Sequence, residues 1–265
     1  MLQKKNNITI EGNKDAPQTI VFAHGFGTDQ TAWTNVKQAF KDDYRLVLYD
    51  NVGGGKADPA AYSPIKYNNL NTYADDLVAI ATELDLRDAI VVAHSVSSMI
   101  TLLASIKAPQ YFSKLVFIGA SPRYLNDEAL NYVGGFTKPV LDGMYTAMTT
   151  NYYAWVSGFS SAAMGEQENP IYREQFAETL SVIRPDIALS VAKVIFESDV
   201  RKELNKLNKE TLLIQAHDDI AVPAEVAEYL NKNISNSSLT YVDANGHFPH
   251  ISAPNEVITA IKAFI

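Results

Sequence analysis

Short β-branched runs alternate with helical patterns along most of the chain. TIVFA (19–23), LVLYD (46–50), AIVVA (89–93), KLVFIG (114–119) and TLLIQ (211–215) are brief and almost wholly apolar, as strands buried on both faces are. Between them, residues 73–84 place Leu77, Ile80 and Leu84 at helical spacing, and an apolar helix starts at Ser95 or Val96. Hairpins cannot join parallel strands, so this alternation predicts an α/β fold with a mostly parallel central sheet and helices on both faces.

The alternation lapses after Pro122. Residues 124–196 turn helical and aromatic, with Tyr132, Phe136, Tyr145, Tyr152, Tyr153, Trp155, Phe159, Phe176 and Phe196, before the strand pattern resumes at TLLIQ. At 265 residues and 47% hydrophobic, the chain has the length for one full core with an elaboration. The expected organisation is a core of residues 1–123 and 197–265 with a helical lid, 124–196, inserted into it. The aromatics serve either as the lid helices' own core or, in part, as the lining of a pocket.

Chemistry gathers where strands end. AIVVA runs into His94-Ser95-Val96-Ser97-Ser98 and then an apolar helix. That order, strand, serine, helix, holds a serine Oγ out at the C-terminal edge of the sheet, beside helix N-terminal amides. The pattern differs from G-x-S-x-G in having Ala93 and Ser97, both small, in place of glycine. Taken alone, Ser95 also reads as an ordinary N-cap. Upstream, His24-Gly25-Phe26-Gly27 follows TIVFA and can turn a backbone amide toward the same point, so the Phe26 and Val96 amides are the candidate oxyanion hole. His24 braces that turn. Downstream, Asp218-Asp219 follows TLLIQ and Gly246-His247 follows a short strand at 238–242. Asp219, with a proline four residues on, is chosen over Asp218, and the chain order Ser95, Asp219, His247 is that of the α/β-hydrolase fold.

Other patterns are weak. The G-x-G at Gly25 lacks the third glycine of a dinucleotide site, and Gly53-Gly54-Gly55-Lys56 lacks the spacing of a phosphate loop, which leaves it a turn with Asp50 as its anchor. His94, His217 and His250 have no zinc-type spacing. With no cysteine, a nucleophile must be an oxygen or an amine. A formal charge of −8 without a basic cluster speaks against nucleic acid and anionic membranes as partners. No stretch has the length of a membrane span or the make-up of a signal peptide, so the expectation is a cytoplasmic protein; no cofactor and no metal are expected.

Several phrases together resemble the strigolactone and karrikin receptor hydrolases of plants and their bacterial relative, the stress regulator RsbQ: HGFGTDQ (24–30), DDYRLVLYDNVG (42–53), HSVSSMI (94–100), SPRYLND (121–127), GGF (134–136) and RPDIALSV (184–191). The resemblance spans nearly the whole chain. It implies an α/β-hydrolase with Ser95, Asp219 and His247 as its triad, and a V-shaped lid of four helices over an apolar pocket. By position in those phrases, Phe26, Tyr124, Phe136, Phe159, Phe176, Phe196, Ile220, Ala221 and Phe248 line the pocket. The implied activity is hydrolysis of a small, uncharged apolar ester or butenolide-type lactone through an acyl-serine. The alternative is a ligand-sensing receptor whose lid meets a protein partner.

Overall fold

The computed structural model describes residues 2–165 and 170–265. Seven strands form one sheet in the order β1-β3-β2-β4-β5-β6-β7: β1 (Thr9–Gly12), β2 (Thr19–Ala23), β3 (Arg45–Tyr49), β4 (Ala89–His94), β5 (Phe112–Ile118), β6 (Glu210–Asp218) and β7 (Ser237–Asn245). Every pairing is parallel except that of β1 with β3. The five β-rich runs are the inner part of the sheet, and β2 and β4 are buried along their whole length. The edge strand β1 was not among them, because four partly exposed residues carry too little apolar signal.

The helices are α1 (Leu2–Lys5), α2 (Thr34–Lys37), α3 (Leu70–Glu83), α4 (Val96–Lys107), α5 (Lys138–Thr150), α6 (Tyr152–Met164), α7 (Pro170–Ser181), α8 (Pro185–Phe196), α9 (Ala224–Asn233), α10 (Pro249–Ser252) and α11 (Pro254–Phe264). Successive strand residues point to opposite faces, so β2 sends Val21 and Ala23 into one apolar layer and Ile20 and Phe22 into the other. The first layer packs on α3 and α4 through Leu77, Ile80, Met99 and Leu102; the second packs on α2 and α11 through Val36, Val257 and Ile261. Each such side chain contributes about 1.5–3 kcal/mol by burial. Asn69 caps α3 by accepting from the Asn71 amide at 2.9 Å, which starts the helix three residues before the apolar periodicity suggests.

Between β5 and β6 lie α5 to α8, the last ending at Phe196. Their buried faces, with Leu141, Trp155, Phe176 and Ala188, join the same apolar layer as α3 and α4. Residues 166–169 of the stretch expected as a lid lie outside the described residues. Among the described residues, no helix is long and apolar enough to cross a membrane.

Candidate active site

The C-terminal ends of β2, β3 and β4 are neighbours in the sheet, so the turns after them converge. Ser95 takes φ 55° and ψ −127° at the junction of β4 and α4, a left-handed conformation that costs a non-glycine residue about 1–3 kcal/mol. Its amide donates to the Ile118 carbonyl at 2.8 Å. The turn after β2 presses against this elbow. A Cβ at Gly25 would stand 2.5 Å from His94 Nδ1 and 3.1 Å from Ser95 Cβ, so only glycine brings the two backbones this close.

A polar clamp holds the contact. The Asn51 amide donates to His24 Nε2 at 2.9 Å, which leaves the proton on Nδ1, where it reaches the Gly25 carbonyl at 2.8 Å. Asn51 Nδ2 donates to the His24 carbonyl and to Ser97 Oγ, both at 3.1 Å, and Ser97 Oγ donates to that same carbonyl. Ser97 is therefore more than a small residue at the second glycine position of the motif. Asn51 carried no signal in the sequence, because its role depends on strand order. Asp50 anchors the following turn, its carboxylate accepting from the Gln30 and Lys56 amides at 2.9 and 2.8 Å.

His247 bridges Ser95 and Asp219. Its Nε2 lies 2.8 Å from Ser95 Oγ and its Nδ1 lies 2.8 Å from Asp219 Oδ2. The other carboxylate oxygen accepts from the Ala221 and Val222 amides at 2.8 and 3.0 Å, and Gln215 Nε2 donates to Oδ2 at 3.2 Å. Asp218 is exposed and meets the site only through its carbonyl, which accepts from the Gly246 amide at 2.7 Å. Gly246 has φ +80°, and a Cβ there would stand 2.3 Å from the Met164 carbonyl oxygen. The His247 amide in turn donates to the Ala163 carbonyl at 2.7 Å.

A tyrosine stands beside the serine. Tyr124 Oη lies 3.2 Å from Ser95 Oγ, and burial pushes the phenol pKa well up, so it stays a neutral hydroxyl. Tyr124 packs on Phe196 at 5.1 Å between centroids and Phe196 on Phe136 at 5.4 Å. Phe26, Phe159, Phe176 and Phe248 follow one another at 6.5, 6.1 and 4.5 Å. Ala221 is half-buried against the same layer. Ile220, expected beside them, is 61% exposed. The amides of residues 221–222 wrap the Asp219 carboxylate. His94 and His250 are buried behind His247, with ring centroids 4.8 Å (His94–His247) and 4.4 Å (His94–His250) apart. Among the described residues, no group of three or more His, Asp or Glu is placed to hold a metal ion.

Residues 18–254 match the family model described as the alpha/beta hydrolase fold. The chain is 42% identical to karrikin insensitive 2 receptor CA of Petunia hybrida, over 100% of this chain and 97% of that protein. It is 41% identical to strigolactone esterase D14 of Arabidopsis thaliana, over 97% and 94%. A solved hydrolase from Oleispira antarctica superposes with a TM-score of 0.95 at 30% identity, covering 99% of this chain and 95% of that one. By sheet order, by the turns its strand ends bring together and by these likenesses, the chain belongs to the α/β-hydrolase fold family, in the group that holds the plant karrikin receptors and strigolactone esterases.

Proposed function

We propose that this protein hydrolyses a small, uncharged, largely apolar ester or butenolide-type lactone, with Ser95 as nucleophile, His247 as general base and acid, and Asp219 as the group that orients it. The observation that carries the reading is His247 standing 2.8 Å from both Ser95 Oγ and Asp219 Oδ2. Ser95 Oγ attacks the carbonyl carbon and its proton passes to His247 Nε2, while Asp219 holds the Nδ1 proton. The oxyanion is held by the amides of Phe26 and Val96; the latter, at the first turn of α4, is one of the N–H groups a helix leaves without an internal partner. Collapse breaks the bond to the leaving oxygen, which takes the proton from Nε2. Water then attacks the acyl-Ser95 by the same route. Residues 124–196 serve as the lid, and the rings of Tyr124, Phe136, Phe159, Phe176, Phe196 and Phe248 favour a ligand without charge.

Wild type and Ser95→Ala, incubated with a chromogenic short-chain ester and with a butenolide lactone, test this. Turnover lost in the variant, with a transient mass gain on wild type alone, supports it; equal rates, or none with either substrate, count against it. A second reading is favoured by the relatives' names: at 42% identity over the whole chain stands a protein named as a receptor. Here the same pocket processes its ligand slowly and the lid surface meets a protein partner. A partner captured only when ligand is present supports that reading, and fast turnover with no ligand-dependent partner opposes it.

A further inference from the structure

Next to the elbow lies a small cavity of about 30 Å³. Its walls include Gly25 and Phe26 after β2, Val96 and Ile100 of α4, Tyr73 of α3 and Val191 of α8; it adjoins Ser95 through the neighbouring Val96, whereas Ser95 itself, His247, Asp219 and Phe248 take no part in it. The lining is mostly apolar, and of its polar side chains those of His24 and Asn51 are engaged in the clamp. Tyr73 is 5% exposed, and its hydroxyl has no hydrogen-bond partner among the described residues. The hydroxyl of Tyr62, whose ring packs against Gly53 in the same wall, has none either. A buried hydroxyl without a partner costs about 1–3 kcal/mol. Phenylalanine would fill the same space without that cost, so packing does not account for the Tyr73 hydroxyl.

Three groups leave the carbonyl carbon that Ser95 attacks. Its oxygen faces the amides of Phe26 and Val96, and the leaving oxygen faces His247 Nε2, which must protonate it. The acyl substituent has the remaining direction, past Phe26 and Val96 and away from His247. The cavity is bounded by the first two residues and not by the third. A water occupies about 10–15 Å³ on the same measure, so the cavity takes about two non-hydrogen atoms.

We infer that this cavity is the acyl subsite, that it takes a short acyl group bearing an oxygen on its second carbon, such as hydroxyacetyl, and that the Tyr73 hydroxyl hydrogen-bonds to that oxygen. The inference rests on the hydrolase reading above and adds to it the class of acyl group. Tyr73→Phe removes only an unpartnered hydroxyl, so the variant melts at or above the wild-type temperature. Phenyl esters of acetic, hydroxyacetic, propionic and hexanoic acids, with rates referred to their uncatalysed hydrolysis, read the subsite. Wild type prefers hydroxyacetyl to the isosteric propionyl and handles hexanoyl poorly. In Tyr73→Phe the ratio of kcat/KM for hydroxyacetyl over propionyl falls about five- to tenfold, the range of one hydrogen bond, while the propionyl rate holds. Val191→Ile, which adds a carbon to the wall, slows the hydroxyacetyl and propionyl esters more than the acetyl ester. A ratio unchanged by Tyr73→Phe, with Ser95-dependent turnover intact, overturns the subsite alone. Binding of methyl hydroxyacetate and methyl propionate to Ser95→Ala, with and without Tyr73→Phe, followed by ligand-observed NMR, separates the two ideas. A Tyr73-dependent preference there, without turnover of any ester by wild type, upholds the subsite and removes the hydrolase reading. No Tyr73-dependent preference there overturns the subsite.

Discussion

His94 donates its Nε2 proton to the backbone carbonyl of His247 at 2.8 Å, so the residue that precedes Ser95 in sequence also fixes the loop that presents the imidazole to it. Burial holds the His94 pKa well below the usual imidazole value, with His250 and His247 adding to the effect. The ring is therefore a neutral donor, and the tautomer follows from the carbonyl it meets.

Replacing His94 with Phe leaves the His247 carbonyl without its donor. Urea unfolding is expected to show a loss of about 1–3 kcal/mol. Ester hydrolysis is expected to lose kcat while KM changes little, because the imidazole is displaced from Ser95 and not from the pocket. His94→Gln restores an N–H of similar reach, and recovery of part of kcat in that variant separates the hydrogen bond from the ring's packing. No recovery would assign the effect to packing alone.

Gly25→Ala places a methyl group 2.5 Å from His94 Nδ1 and 3.1 Å from Ser95 Cβ. The turn after β2 must retreat, and the Phe26 amide retreats with it. The expected result is a fall in kcat of about 10²–10³, the effect of losing one oxyanion donor, in a protein that still melts cooperatively. Full activity in Gly25→Ala would mean that the Phe26 amide is not part of the oxyanion hole.

The triad and the clamp beside it differ in how far the sequence reveals them. The order of Ser95, Asp219 and His247 at strand ends is legible because buried parallel strands are continuous apolar runs, and the residues just past them stand out. The clamp of Asn51, His24 and Ser97 is not, because it exists only through the order β3-β2-β4, which places three sequence-distant turns side by side. The stretch between β5 and β6 is legible as helical and aromatic, but the partners of each ring are set by helix packing. The turn after Asp219 is not legible either: the Ala221 and Val222 amides on the carboxylate shape it, and no composition rule carries that.

The buried imidazoles also set how the fold responds to acid. His250 lies between Trp33 and His94 at 4.5 and 4.4 Å, and burial lowers its pKa to about 3. The unfolded chain protonates the same ring near pH 6.5. Between those values the unfolded state binds the extra proton, so stability is full above pH 6.5 and is lost as pH falls toward 3, by up to about 1.4 kcal/mol per pH unit for each such ring. His250→Phe keeps an aromatic ring in the slot. Urea midpoints from pH 4.5 to 7 are expected to fall less steeply in this variant; equal slopes would show that His250 does not stay neutral in the folded chain.

Asp218 and Asp219 are adjacent, yet only one carboxylate touches the imidazole. Asp219 holds His247 Nδ1 at 2.8 Å while receiving the Ala221 and Val222 amides on its other oxygen, so Asn at 219 keeps the shape and loses the charge. Its amide nitrogen, set toward Nδ1, favours the tautomer with the proton on Nε2, which cannot then accept from Ser95. The expected fall in kcat is about 10³–10⁴. Asp218→Asn alters an exposed side chain and leaves the backbone carbonyl that accepts from Gly246 in place, so its activity is expected to stay within about twofold, as for surface substitutions in general. Steady-state hydrolysis by the two variants separates the neighbours. If Asp218→Asn were the slower enzyme, Asp219 would be a structural carboxylate for the turn before α9 and the orienting charge would have to come from elsewhere.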